Sequence, residues 1–283
     1  MPVRIGDSSM LTGQRNISSS NMRLADNFAK LASGKRINKA SDAAAGLAIA
    51  EKLTADIRAA DQAQRNINDG AAMTRVAEGG LSQISDMMAR GKELAIQASN
   101  GTLNNEQRAA INNEITGIKK EVDRISNTTE FNGQKLLDGT LDPNAATQVT
   151  VQAGVQNTAS DQISMNVVNQ TNSQTLGIAT VDVSTQQGAQ DALAAFDTAI
   201  SKVSDTRSNI GSLQNRFDSA TSNVGVYREN MQAASSNIQD LDYAQGTSDL
   251  TRNQVLNQAA TSVLKQGLST QQASIGALLN IKG

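Results

Sequence analysis

The chain has 283 residues, a net charge of −2, no Cys and no His. The missing Cys and His exclude Cys/His zinc sites, thiol nucleophiles, Ser-His-Asp triads and His-based proton transfer. The charge balance gives no overall basic excess for binding nucleic acid or an anionic membrane, and no run of about 18 apolar residues is present to span a bilayer.

Large side chains are scarce in this composition. Apolar residues make up 38% of the chain and aromatic residues 2%, which is too few large side chains for a thick compact core. The abundant Ala, Ser, Thr, Asn and Gln instead favour thin helical packing, because small side chains let helices approach closely. We therefore predict a mainly α protein, built as an elongated antiparallel helical coiled-coil rod.

The first predicted helix runs roughly from residue 8 to 31. Apolar residues recur every seven positions, at Val3, Met10, Ile17, Leu24 and Leu31. This is the spacing of a coiled-coil seam. The helix is expected to end near "SGKRIN", with Gly34 as its C-cap.

A very long second helix is predicted after Asp42, which could serve as its N-cap, and it ends at the Asn100-Gly101 turn. The third helix follows at once. Its apolar residues alternate spacings of four and three, at Ile111, Ile115, Ile118, Val122 and Ile125. Because the connecting turn is short, we expect the second and third helices to form an antiparallel hairpin.

The centre of the chain changes character. Asn132-Gly133 and Asp138-Gly139 are turn dipeptides. Apolar and polar residues then alternate in "TQVTVQA", "QISMNVV" and "IATVDV", which predicts three short strands in a small β region near residues 140–184. The alternative for this region is a disordered loop rich in Asn, Gln and Thr.

The last third is helical again. Apolar residues step by three or four from Ile200 to Leu241, then "DYAQGT" interrupts, and a final helix follows. Arg207, a charged residue within this pattern, is expected to be solvated or to pair across a subunit contact. The two terminal helices are predicted to pair with each other, and their remaining apolar faces would need other copies of the chain to cover them.

Long motifs near both ends resemble bacterial flagellin. They include "LASGKRINKASDAAAGLAIAEKL", "EVDRISNTTEFNGQKLLDG", "IQDLDYA" and "TSVLKQGLSTQQASIGALLN", and the resemblance covers roughly residues 1–140 and 190–283. It implies an inner coiled-coil layer of residues 1–43 and 240–283. Around it would lie a helical rod layer of residues 44–239, with no large outer variable domains.

The resemblance also implies a function. The chain would be a structural subunit, not an enzyme and without a cofactor, that self-assembles into the flagellar filament for swimming. It would be extracellular, exported through the flagellar channel without a cleavable signal peptide. Its implied partners are other flagellin copies, the flagellar cap, junction proteins and an export chaperone. Alternative functions are a hook–filament junction protein or a signalling coiled coil, such as a chemoreceptor hairpin.

Two groups of site residues follow from the resemblance. Arg90, Leu94 and Glu114 match the surface read by the innate-immune Toll-like receptor for flagellin, although the sequence departs from the common pattern at Gly91 and Lys92; the alternative is that these residues serve subunit packing only. The residues assigned to subunit packing are apolar and lie in the terminal helices: Ile17, Leu24, Leu31, Leu264, Leu268, Ile275, Leu278 and Leu279.

The basic segment "ASGKRINK" is not a phosphate-binding loop. A Walker motif needs a second Gly five positions before Gly34 and a Ser or Thr after Lys35, and the sequence has Ala29 and Arg36 there. The resemblance implies instead that this segment is the spoke between the inner and outer layers. The alternative is a plain basic surface patch.

Overall fold

A computed structural model of the chain describes the backbone of residues 5–146 and 148–280 and the side chains of residues 11–146, 148–270 and 272–273. Within these residues the protein is mainly α, as predicted. The helices are α1 (Ile5–Ser33), α2 (Ala44–Ser99), α3 (Asn105–Thr128), α4 (Ser173–Leu176), α5 (Gln186–Gln239) and α6 (Tyr243–Asn280). The strands are β1 (Glu130–Phe131), β2 (Gln134–Lys135), β3 (Thr150–Gln152) and β4 (Gln162–Ser164), and a 3-10 turn spans Ala159–Asp161.

The chain divides into two compact units. The terminal unit comprises residues up to Ala55 and from Asn230 onward, and the central unit comprises Asp56–Glu229. The predicted layers are divided at the ends of helices, after residue 43 and before residue 240. The boundaries of the compact units instead fall within helices, after Ala55 in α2 and before Asn230 in α5. The first turns of α2 belong to the terminal unit because they pack on the loop before them: Ile37 and Ala50 are both buried, and Ile37 lies against Gly46.

The central unit holds the hydrophobic core. Its buried residues come from α2, α3, α5 and the segments between α3 and α5, and the largest include Ile67, Leu81, Met88, Ile115, Phe196 and Phe217. The three- and four-residue spacings of the sequence place these side chains on one face of each helix. The predicted apolar stripe of α3 is confirmed, since Ile111, Ile115, Val122 and Ile125 are buried.

The turn between α2 and α3 is closed by polar contacts. Asn104 caps α3 in a capping box with Gln107. The guanidinium of Arg108 is buried and donates to the carbonyls of Ala98, at 2.9 Å, and Asn100, at 3.0 Å. A cation here satisfies carbonyls that the end of α2 leaves free, so the predicted turn at Asn100-Gly101 is confirmed.

Two small antiparallel sheets lie in the central unit. In β1–β2, Phe131 pairs with Gln134 across the predicted Asn132-Gly133 turn. Both turn residues have positive φ, at 51° and 79°, as a type I′ hairpin turn requires. In β3–β4, Val151 pairs with Ile163, which confirms two of the three predicted strands.

The predicted third strand, "IATVDV", is wrong. Residues 178–183 form no strand, although Ile178, Val181 and Val183 are buried in the core. Their backbone is bonded to side chains of α3: Lys119 Nζ donates to the carbonyl of Val181, and Asn112 Oδ1 accepts from the N–H of Val183. These bonds use the backbone groups that a neighbouring strand would need. The burial also argues against a disordered loop.

The helix boundaries differ from prediction in three places. The helix predicted from residue 200 begins at Gln186 instead, and the break at "DYAQGT" is confined to the residues before Tyr243.

The predicted C-cap of α1 is confirmed, because Gly34 has a φ of 69°. Asp42 as the N-cap of α2 is wrong, because its carboxylate accepts from the backbone N–H groups of Asn38 and Lys39.

Candidate assembly surfaces

The terminal helices α1 and α6 pack against each other in antiparallel directions. A Cβ at Gly13 would lie 2.9 Å from Leu264, and a Cβ at Gly246 would lie 3.1 Å from Leu31. The first half of α1 therefore packs against the later part of α6, and the end of α1 packs against the start of α6. Between them, Asn257 donates to the carboxamide oxygen of Asn21 at 2.6 Å. The predicted pairing of the chain ends is therefore confirmed for the described residues.

Among the side chains that the structure describes, this pairing leaves every apolar one at least partly exposed. Of the described side chains in α1 and α6, none reaches full burial. Ile17, Leu24, Leu31 and Leu264, which were predicted to pack, are half-buried, and Leu268 is 43% exposed. For Ile275, Leu278 and Leu279 the described backbone is helical, but their side chains lie outside the described residues.

Both terminal helices also carry large apolar side chains that stay exposed after the two helices have paired. Val263 is 72% exposed and Met22 is 61% exposed. Clustered exposed apolar side chains on a folded protein mark interaction sites. The other residues of this exposed set are Leu11, Phe28, Tyr243, Val255, Leu256 and Leu268.

The segment "ASGKRINK" is part of a bonded joint in the terminal unit. Lys35 and Asp240 form an isolated antiparallel β-bridge. It is made by two backbone hydrogen bonds: the N–H of Leu241 donates to the carbonyl of Gly34 at 2.9 Å, and the N–H of Arg36 donates to the carbonyl of Gln239 at 2.7 Å. The sequence carried no signal for this joint, because it connects backbone groups of residues about two hundred positions apart.

Charged side chains brace the same joint. Lys39 pairs with Asp26 at 2.7 Å, and Lys30 lies 3.7 Å from Asp42. The backbone N–H groups of Asn38 and Lys39 lower the pKa of Asp42 below its usual range, and the hydrogen bond to Asp26 raises the pKa of Lys39. Basic residues of this segment therefore bond to groups of the same chain: Lys39 pairs with Asp26, and Arg36 donates to the carbonyl of Ile238.

The residues predicted to contact an immune receptor are brought together only in part. Arg90 donates to Glu114 through Nε, at 3.1 Å, and Nη2, at 2.9 Å, and to Glu93 at 3.2 Å. Arg90 and Glu114 are about half exposed. Leu94 is 1% exposed and belongs to the core of the central unit, so in this structure it offers no surface to a partner.

The neighbouring departures from the common pattern have a packing explanation. A Cβ at Gly91 would lie 2.4 Å from the ring of Phe196, which is itself fully buried. Lys92 forms an ion pair with Asp197, the residue after Phe196. Positions 91 and 92 of α2 thus contact positions 196 and 197 of α5. The side chain of a β-branched residue at position 91 would clash with the ring of Phe196.

Further ion pairs connect α2 and α5 in the central unit. Arg207 donates to Glu78 at 2.7 and 2.9 Å, and Arg228 pairs with Asp61 at 3.1 Å. Arg207 was predicted to be solvated or to pair across a subunit contact; it is 40% exposed, and the partner it pairs with lies within the same chain. Sequence alone cannot identify a partner 129 positions away.

Other kinds of site find no support in the described part of the chain. Among the described helices, none has the length and apolar character needed to cross a membrane. The described Asp and Glu residues form no group that could hold a metal ion. A cavity of about 290 Å³ lies beside Thr171, Lys202 and Thr206, and a second of about 330 Å³ lies beside Asn66 and Gln152.

Comparison with known proteins gives consistent matches along the chain. The family profile of the bacterial flagellin N-terminal helical region matches residues 8–142, and that of the bacterial flagellin C-terminal helical region matches residues 193–279. A flagellin from Halalkalibacterium halodurans is 40% identical over 249 residues, covering 88% of this chain and 89% of the relative.

Two further relatives complete the comparison. The flagellar filament 30.7 kDa core protein of Treponema maltophilum is 34% identical over 280 residues, covering 96% of this chain and 98% of the relative. The crystal structure of Bacillus cereus flagellin is 31% identical and covers 60% of this chain and 94% of that one, with a TM-score of 0.49. Since both family profiles match in order, and the Halalkalibacterium halodurans and Treponema maltophilum proteins align over most of their length, the chain belongs to the bacterial flagellin family.

Proposed function

We propose that this chain is a structural subunit that self-assembles into the helical filament of the bacterial flagellum and so serves swimming motility. The observation that carries the proposal is the exposed apolar surface of α1 and α6, where Val263 and Met22 stay in water after the two helices have paired. Another copy of the chain carries the same apolar surface, so copies can bury these side chains against one another.

Assembly would proceed through many repeated contacts. A contact between different patches on successive copies does not close on itself, so it generates a helical polymer rather than a ring. Burying one exposed Val or Leu side chain contributes about 1.5–3 kcal/mol. Because the same contact recurs at each subunit, small contributions add up to a stable polymer. Residues 1–43 and 240–283 would form the inner layer and residues 44–239 the next layer outward.

The filament assignment carries further proposals about location and partners. The chain would act outside the cell, after export through the flagellar channel without a cleavable signal peptide. It would meet an export chaperone, junction proteins and the flagellar cap before or during assembly. These partners would bind the same apolar surface of α1 and α6, because no other described part of the chain presents so many exposed large apolar side chains.

A single exposed side chain tests the assembly surface. Val263→Gln removes apolar contact area from α6 while keeping a side chain suited to helices. A loss of about 1.5–3 kcal/mol per subunit contact should raise the protein concentration needed for polymer growth roughly ten- to a hundredfold. The measurement is the concentration at which polymer first sediments after seeding.

The matched control is Ser269→Gln, which introduces the same side chain at an exposed polar position of α6. It should polymerise like the unmodified chain. If Val263→Gln also polymerised at the unmodified concentration, Val263 would not lie in the subunit contact.

Recognition by the Toll-like receptor for flagellin is a second proposal, now resting on the exposed pair Arg90 and Glu114. Arg90→Ala should weaken receptor signalling in a reporter-cell assay, because it removes the cation and leaves Glu114 without its partner. Arg124→Ala is the control: it removes an exposed cation paired with Glu121 on α3. Unchanged signalling by Arg90→Ala would exclude this contact.

A further inference from the structure

Two Asn-Gly dipeptides lie at exposed turns of the chain, at residues 100–101 and 132–133. In this dipeptide the Asn carboxamide is poorly shielded from the next backbone nitrogen, because Gly has no side chain. Both Asn residues and both Gly residues are exposed. Solvent access therefore does not distinguish the two sites, and any difference in reactivity must come from their bonding.

Asn100 is held by four hydrogen bonds. Its carboxamide oxygen accepts from the N–H of Thr102 at 3.1 Å, and its own N–H donates to Gln97. Its carbonyl accepts from Leu103 and from the buried guanidinium of Arg108. These bonds fix the backbone on both sides of Asn100 and the direction of its side chain.

Asn132 has much weaker constraints. In the described part of the chain no hydrogen bond engages its carboxamide, and a Cβ placed at Gly133 would meet nothing within 4 Å. The hairpin that holds Asn132 has strands of two residues each, and such short hairpins are marginally stable in water. Asn132 also has a φ of 51°, a conformation of higher energy for a residue with a side chain.

We propose that Asn132 is a site of spontaneous deamidation and that Asn100 is protected from it. The backbone nitrogen of Gly133 loses its proton to a base in solution and attacks Cγ of Asn132. A bond forms between that nitrogen and Cγ, the bond from Cγ to Nδ2 breaks, and the amide leaves as ammonia. Water then opens the five-membered imide at either carbonyl, giving Asp or isoaspartate, with no oxidation or reduction.

The two products have different consequences for the hairpin. Asp is compatible with a positive φ, so the Asp product keeps the turn. Isoaspartate adds a methylene group to the main chain, so Phe131 and Gln134 lose the register that pairs them. Phe131 packs against the core of the central unit, and that packing would be lost with the pairing. The site thus gives the protein a time-dependent change in one turn.

The test follows both sites in the same full-length chain. The protein is incubated at mildly alkaline pH, and samples are digested with trypsin and analysed by mass spectrometry. Peptide 125–135 reports Asn132 and peptide 93–108 reports Asn100. We expect conversion of Asn132 to be several-fold faster than that of Asn100 in the folded chain. In concentrated urea, where both sites keep their sequence and lose their structure, the two rates should become similar.

Two results would overturn the proposal. One is that Asn100 converts as fast as Asn132 in the folded chain. The other concerns Asn127, which lies in the same peptide but is not followed by Gly. Asn132→Gln should abolish the acidic form of peptide 125–135 in the folded chain. If the acidic form persisted in that variant, Asn127 would be its source.

Discussion

Gly91 sets how closely α2 approaches α5 in the central unit. Its Cα faces the ring of Phe196, and an added Cβ would lie 2.4 Å from that ring. Because Phe196 is fully buried, it has no open space into which to move. This contact gives a physical role to a residue that the sequence identified only as a departure from the family pattern.

We expect Gly91→Ala to destabilise the protein by about 1–3 kcal/mol through overpacking, in spite of the better helix propensity of Ala. The free energy of unfolding in urea measures this. Gly117→Ala in α3 is the control: its added Cβ meets nothing within 4 Å, so it should stabilise the chain by up to about 1 kcal/mol. Equal or increased stability of Gly91→Ala would mean that Phe196 does not pack on position 91.

Thr171 carries a buried hydroxyl that has no hydrogen-bond partner among the described residues. Its side chain is 1% exposed, and an unsatisfied buried polar group costs about 1–3 kcal/mol. Thr171→Val keeps the shape of the side chain and removes the hydroxyl. We expect it to raise the free energy of unfolding by about 1–2 kcal/mol.

Thr206→Val is the matched comparison for Thr171. Thr206 is equally buried and borders the same cavity, but its hydroxyl donates to the carbonyl of Lys202 at 2.9 Å. Removing that bond should cost about 0.5–1.5 kcal/mol. If Thr171→Val lowered stability as Thr206→Val does, the Thr171 hydroxyl would be bonded in solution.

At the scale of elements, the stability of the loop between α1 and α2 should depend on pH. Backbone N–H groups lower the pKa of folded Asp42. The stability that this carboxylate contributes is therefore present above its unfolded pKa and is lost as the pH falls through the folded pKa. The melting temperature of the chain should exceed that of Asp42→Asn at neutral pH, and the difference should vanish below the acidic pKa range of Asp. A difference that persisted in strong acid would rule out ionisation of Asp42 as its cause.

The elements themselves could be predicted where the signal is local. Heptad and three-four spacings predicted the long helices, Gly34 predicted the end of α1, and Asn132-Gly133 predicted the turn between β1 and β2, although not the two strands. Each of these depends on side-chain periodicity or on the backbone freedom of a few adjacent residues. The limits of α5 and α6 were less accurate, because Ala, Ser and Gln fit equally well inside a helix and at its end.

Long-range pairing could not be predicted. The alternation in residues 178–183 is that of a strand, yet Lys119 and Asn112 bond its backbone. Arg207 is a charged residue in an apolar stripe, and only the fold brings Glu78 to it. Leu94 could equally have faced water or the core, and the spacing of Arg90 and Leu94 places them on one side of α2 without indicating how deeply each is buried.

At the scale of the whole molecule, the contrast between the two units explains why the chain needs copies of itself. The central unit buries most of its large apolar side chains, whereas the described part of the α1–α6 pair leaves its own partly or largely in water. A helix pair that leaves apolar side chains exposed gains stability when further helices cover them. The predicted subunit-packing residues lie on these two helices, and their role in the filament remains a prediction.

Electron microscopy after addition of ammonium sulfate tests the filament account most directly, because this salt strengthens apolar burial. The full chain should be compared with a chain that ends at residue 249 and so lacks most of α6. The account predicts long tubes of uniform width from the full chain and none from the shortened one. Dispersed monomers or small discrete oligomers from both chains, or the same tubes from both, would contradict it.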